Sequence, residues 1–145
     1  MSVRVLVVDD QEPFRLAAAA VVAAADGFEL VGSTDTGEAS VAAVEELQPD
    51  LVLMDIHLPG IDGPESTRRI RGRRPAVRVL LVSSSDRYAD PEECGAMGYL
   101  AKQRLSPDQL RAVWGGRQHP SPPPQRPLPN TDSPPTTPTS KERAP

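Results

Sequence analysis

The chain has 145 residues with 16 basic and 20 acidic side chains, a formal net charge of −4, and a length that suits one domain with a real core and excludes a two-domain enzyme. A single cysteine, Cys94, excludes an internal disulfide and a cysteine-rich zinc site. No charged start leads into an apolar run, and no stretch approaches roughly eighteen consecutive apolar residues, which argues against secretion and membrane spanning and makes the cytoplasm the expected location.

Val3 to Val8 is an apolar run ending in Asp9-Asp10 and reads as a buried strand. Gln11-Glu12-Pro13 opens a helix to about Ala25, with Pro13 in the first turn where its missing donor costs nothing, and Asp26-Gly27 stops it. Phe28 to Gly32 is a short second strand. Thr36-Gly37-Glu38 starts a helix to Leu47 whose expected apolar stripe is Ala39, Val41, Ala42, Val44 and Leu47. Leu51-Val52-Leu53-Met54 runs straight into Asp55 and then into the turn residues Pro59, Gly60 and Gly63.

Pro64 again marks a first helical turn, and Arg68, Arg69, Arg71, Arg73 and Arg74 gather toward that helix's end, as the helix dipole favours. The bland reading of this cluster is a solvated helix end; the functional one is a partner or phosphate contact. Val77 to Val82 is a fourth strand, ending in Ser83-Ser84-Ser85. A weak helix within Tyr88 to Met97 is interrupted by Pro91 and Gly95. Gly98 to Ala101 reads as a fifth strand, and Leu105-Ser106-Pro107-Asp108 caps a last helix to about Trp114.

Ten of the seventeen prolines follow His119, so composition divides the chain into a folded unit, residues 1–116, and a proline-rich tail, residues 117–145, expected to be disordered. The tail holds four basic and two acidic residues, which leaves about −6 for the folded part and disfavours attraction to a polyanion. Pro124-Gln125-Arg126-Pro127 fits a loose PxxP pattern, for which a plain solvated tail is the simpler reading.

Five strands alternating with five helices imply an α/β fold, a doubly wound five-stranded parallel sheet with helices on both faces. In such sheets ligands bind outside the carboxyl ends of the strands. Asp9, Asp10, Asp55, Ser83 and Lys102 all fall at strand ends. Three carboxylates in one crevice repel one another unless a cation intervenes, and magnesium, held by one or two carboxylates plus a phosphate oxygen, suits them. Lys102 can hold a phosphoryl oxygen as a point charge.

The order Asp9-Asp10, then Leu53-Met54-Asp55-Ile56-His57-Leu58-Pro59-Gly60-Ile61-Asp62-Gly63, then Ser83, then Gly98-Tyr99-Leu100-Ala101-Lys102, resembles the receiver domain of bacterial two-component response regulators, over residues 1 to about 116. The resemblance implies a flavodoxin-like fold and Asp55 as the phosphoacceptor for a sensor histidine kinase or phosphotransfer protein. It implies that Asp9, Asp10, Asp55 and the backbone carbonyl of His57 hold Mg2+, and that Ser83 and Lys102 bind the phosphoryl group. Ser83 moving toward the phosphate would let Tyr99 turn inward, and an unknown downstream protein would read the changed surface. The His57 imidazole would flank the phosphoryl group. The chain would be no enzyme beyond its own phosphorylation and slow dephosphorylation.

Two departures stand out. Gln103 occupies the place where receivers carry a proline after a cis peptide, so a trans or strained loop is expected there. The span between Ser83 and Tyr99 is about one helical turn short, so the fourth helix is expected to be a stub. Nothing after Gly116 has a helical apolar period, so direct DNA binding is not expected. Two further readings compete: a receiver-fold scaffold working without phosphorylation, and a phosphohydrolase with an aspartate nucleophile. The latter class needs a second aspartate two positions on, where His57 stands.

Overall fold

The computed structural model describes residues 2–84 and 90–115. The expected tail with its PxxP segment, and the first residues, 88–89, of the span expected to hold the fourth helix, lie outside the described residues.

The elements are β1 (Val3–Val8), α1 (Glu12–Ala24), β2 (Phe28–Thr34), α2 (Gly37–Leu47), β3 (Leu51–Asp55), α3 (Gly63–Arg73), β4 (Arg78–Ser83), α4 (Pro91–Cys94), β5 (Gly98–Ala101) and α5 (Pro107–Trp114). The strands pair in the order β2-β1-β3-β4-β5, all parallel. This is the flavodoxin-like order, in which the topology reverses between β1 and β3 and opens a crevice at their carboxyl ends.

Strand alternation sorts the core into two layers. Val5, Val7, Leu51, Leu53, Leu80, Val82 and Leu100 face α1 and α5, where Ala18, Val22, Leu110 and Val113 meet them. Leu6, Val8, Val52, Met54, Val79, Leu81 and Tyr99 face α2, α3 and α4. The three central strands are therefore apolar on both faces, and each fully buried Leu or Val contributes about 1.5–3 kcal/mol.

Helix starts follow their capping residues. Thr36 Oγ1 accepts from Ala39 N at 3.0 Å, Asp62 Oδ1 from Glu65 N at 2.9 Å, and Ser106 Oγ from Gln109 N at 3.1 Å, each worth about 1 kcal/mol. The fourth helix is indeed a stub of four residues, capped by Asp90 and closed by Gly95. No cis peptide occurs among the described residues, and Lys102–Arg104 forms one trans 3-10 turn.

Two expectations need correcting. β2 runs on to Thr34 rather than stopping at Gly32, because after a register shift Gly32, Ser33 and Thr34 pair with Leu6, Val7 and Val8. A β-carbon at Gly32 would lie 2.7 Å from Leu47 Cδ1 of α2, so a larger residue there would need the Leu47 side chain to shift. On α2 the buried apolar pair is Ala43 and Val44, with Val41 and Leu47 packed alongside, while Ala42 is exposed. The 3.6-residue period puts Ser40, Ala43, Val44 and Leu47 on one side and turns Ala42 to water.

Candidate functional site

Asp9, Asp55, Ser83 and Lys102 are brought to the carboxyl edge by four strands: Asp9 just past β1, Asp55 ending β3, Ser83 ending β4 and Lys102 just past β5. Pairing fixes their heights, since Asp55 is in register with Val82 and Ser83 with Ala101. Asp9 and Ser83 are buried and Asp55 is 5 % exposed, whereas Asp10 stands in solvent at the rim.

Carboxylate oxygens of Asp9, Asp10 and Asp55, one from each, lie within 4.8 Å of one another. The Lys102 ammonium is 2.5 Å from Asp9 Oδ2 and 3.6 Å from Asp55 Oδ2. Asp9 Oδ1 accepts from Gln11 N at 2.8 Å, and its Oδ2 has no partner but Lys102 among the described residues. Arg15 Nη1 donates to the Asp9 carbonyl at 2.7 Å, and the Lys102 ammonium sits 4.5 Å from the Phe14 ring centroid.

Burial pushes the Asp55 carboxyl up to about 6, with the Asp9 charge pushing the same way. The Lys102 ammonium and the His57 backbone N–H pull it down, and Asp10 adds a smaller push up. Near neutral pH, Asp55 is thus ionised but basic for a carboxylate, which suits a nucleophile.

The loop after β3 is held from two sides. Gly63 N donates to Ile56 O at 2.9 Å, and Glu38 Oε2 of α2 accepts from Ile61 N at 3.1 Å. His57 is exposed on this loop. Tyr99, expected to turn inward on activation, is already only 2 % exposed and packs in the core layer under α2, α3 and α4.

The arginines at the end of α3 are paired within the chain while staying about half exposed. Arg68 and Arg69 pair with Glu65, Arg73 and Arg74 with Glu45, and Arg71 donates to the carbonyls of Pro75 and Val77. Hydrogen bonds from Arg69 and Arg68 hold the Glu65 carboxyl below its usual range. Sequence reasoning missed Phe14, Arg15 and Glu38; the first two lie one helical turn past the Asp9-Asp10 pair, which was the available signal.

Among the described residues no helix is long and apolar enough to cross a membrane.

The pattern of the response regulator receiver domain matches residues 5–114. Response regulator GacA of Pseudomonas viridiflava is 36 % identical over 126 residues, covering 83 % of this chain and 59 % of GacA. Response regulator protein VraR of Staphylococcus aureus is 36 % identical over 118 residues, covering 78 % and 56 %. The chain thus spans little more than half the length of these relatives. Among solved structures, a LuxR-family two-component response regulator from Aurantimonas sp. SI85-9A1 superimposes with a TM-score of 0.71 at 28 % identity, covering 85 % of this chain and 91 % of that one. The response regulator domain of Thermotoga maritima CheB gives 0.71 at 26 %, covering 79 % and 96 %. The chain belongs to the response regulator receiver domain family of two-component signalling.

Proposed function

We propose that Asp55 accepts the phosphoryl group in this chain. The observation that carries the reading is the meeting of three carboxylates and one nearly buried ammonium at a single sheet edge. A carboxylate oxygen of Asp55 attacks the phosphorus of a phosphohistidine on a sensor kinase or phosphotransfer protein. The P–N bond breaks, its electron pair stays on the imidazole, and an acyl phosphate remains on Asp55. Little covalent chemistry falls to the protein, so catalysis is positioning and charge neutralisation.

The donor set fits magnesium: hard oxygens, two buried and one exposed, with room for water at the rim. Asp9, Asp10, Asp55 and the His57 carbonyl would hold it. When bound, the ion offsets the carboxylate charges and the charge on the phosphoryl oxygens. Lys102 supplies a fixed positive charge to a phosphoryl oxygen, and Ser83 donates its hydroxyl. Tyr99 is packed inward here, so phosphorylation raises the population of this arrangement rather than creating a new position. A downstream protein reads that shift at the surface of α4, β5 and α5, and the chain modifies nothing but itself.

The completeness of the site argues against a scaffold independent of phosphorylation. The test is intact-mass spectrometry after incubation with acetyl phosphate and magnesium. A hydroxylamine-labile adduct is expected in the wild type and absent in Asp55→Asn; an adduct that persists in Asp55→Asn overturns the reading.

A further inference from the structure

The first turn of α1 grips both members of the Lys102–Asp9 pair. The Phe14 ring lies 4.5 Å from the Lys102 ammonium, Arg15 Nη1 donates to the Asp9 carbonyl at 2.7 Å, and Gln11 N donates to Asp9 Oδ1 at 2.8 Å. Ring and carboxylates together leave the Lys102 side chain only 9 % exposed. A lysine carries its charge on a flexible stem that ordinarily takes it into water. The negative face of an aromatic ring attracts an ammonium, and more strongly where water is excluded.

We propose that Phe14 is a positioning residue for phosphoryl transfer: its aromatic face holds the Lys102 ammonium against the acidic cluster, in place to meet a phosphoryl oxygen. The inference rests on the reading of Asp55 as the acceptor. What matters is the ring's electron density and not its bulk, because a leucine of similar size fills the same space without attracting a cation.

The composition makes the test clean. Phe14 and Phe28 are the two phenylalanines, and Lys102 and Lys141 the two lysines. In protein carrying isotope-labelled lysine, the Lys102 side-chain resonances should be displaced by the ring current and its ammonium protons protected from exchange. The displacement should collapse and the exchange protection should fall in Phe14→Leu, where the carboxylates alone cover the ammonium, and both should survive in Phe14→Tyr. Phosphorylation by acetyl phosphate should fall about tenfold in Phe14→Leu and stay within about twofold in Phe14→Tyr. Biosynthetic fluorinated phenylalanines weaken the ring face with little change of shape. The rate should then fall stepwise with fluorine number in the wild type and stay flat in Phe14→Leu, where Phe28 alone is labelled. Wild-type rates and lysine signals in Phe14→Leu, or a flat fluorine series in the wild type, overturn the positioning role. A wild type that takes up no phosphoryl group overturns the acceptor reading instead, and the lysine signals still decide whether the ring holds the ammonium.

Discussion

A β-carbon added to Gly63 would lie 2.2 Å from the carbonyl oxygen of Asp55 and 2.9 Å from Ile56 Cα. The start of α3 therefore rests directly on the backbone of the proposed acceptor, closed by the Gly63 N to Ile56 O bond. No flexible side chain is available to give way. Gly63→Ala should destabilise the fold by about 3 kcal/mol and displace Asp55, so the urea midpoint and the phosphorylation rate should fall together. An alanine variant of wild-type stability and rate would contradict the close approach.

Lys102 neutralises a carboxylate that has no access to water. Asp9 is 0 % exposed, and its Oδ2 meets only the ammonium among the described residues. Lys102→Met should cost about 3–5 kcal/mol at neutral pH, because it leaves a buried charge uncompensated. The double variant Asp9→Asn/Lys102→Met should recover most of that loss, since asparagine still offers an oxygen to Gln11 N. A double-mutant cycle by chemical denaturation gives the coupling directly; additive losses would mean that the pair is not coupled.

Much of this site was legible in the chain because each contributor ends an apolar run. Leu53-Met54-Asp55 and Val7-Val8-Asp9 announce their own positions, and five such runs with helix-length gaps imply the parallel sheet that gathers them. What stayed hidden depends on how helices lie across the sheet. The Phe14 contact requires α1 and the end of β5 to meet in space, which no local pattern encodes. The second strand read as ending at Gly32 because what carries it on to Thr34 is pairing with β1 after a register shift, a long-range contact. Ala42 looked like core because alanine is tolerated on either face of a helix.

A variant at Asp10 should separate the proposed metal binding from folding. Asp10 is exposed at the rim, yet its carboxylate lies within reach of the other two. Asp10→Asn should change stability in the presence of EDTA by no more than about 0.5 kcal/mol. Magnesium at about a hundredfold its dissociation constant should stabilise the wild type by about 2.7 kcal/mol. The variant should lose most of that gain at the same concentration, and EDTA should reverse it in the wild type. Thermal melts across a magnesium titration check this; equal shifts in both proteins would remove Asp10 from the ion's ligands.

Asp55 should make the protein less stable as the pH rises. Its carboxyl is pushed up to about 6, well above the ordinary aspartate range, by burial first and then by the Asp9 charge. The folded state thus holds the Asp55 proton more tightly than the unfolded state does. The stabilising contribution of the protonated group is therefore complete below about pH 4 and is lost as the pH rises through about 6. At pH 7.5 in EDTA the ionised group costs up to about 3 kcal/mol. Asparagine fills the same volume and cannot ionise, so Asp55→Asn should be more stable than the wild type by about 1–3 kcal/mol at neutral pH and lose that advantage near pH 4. Urea midpoints across this range decide the matter. A lead that is constant with pH would assign the gain to packing, and a lead that grows on acidification would reverse the electrostatic argument.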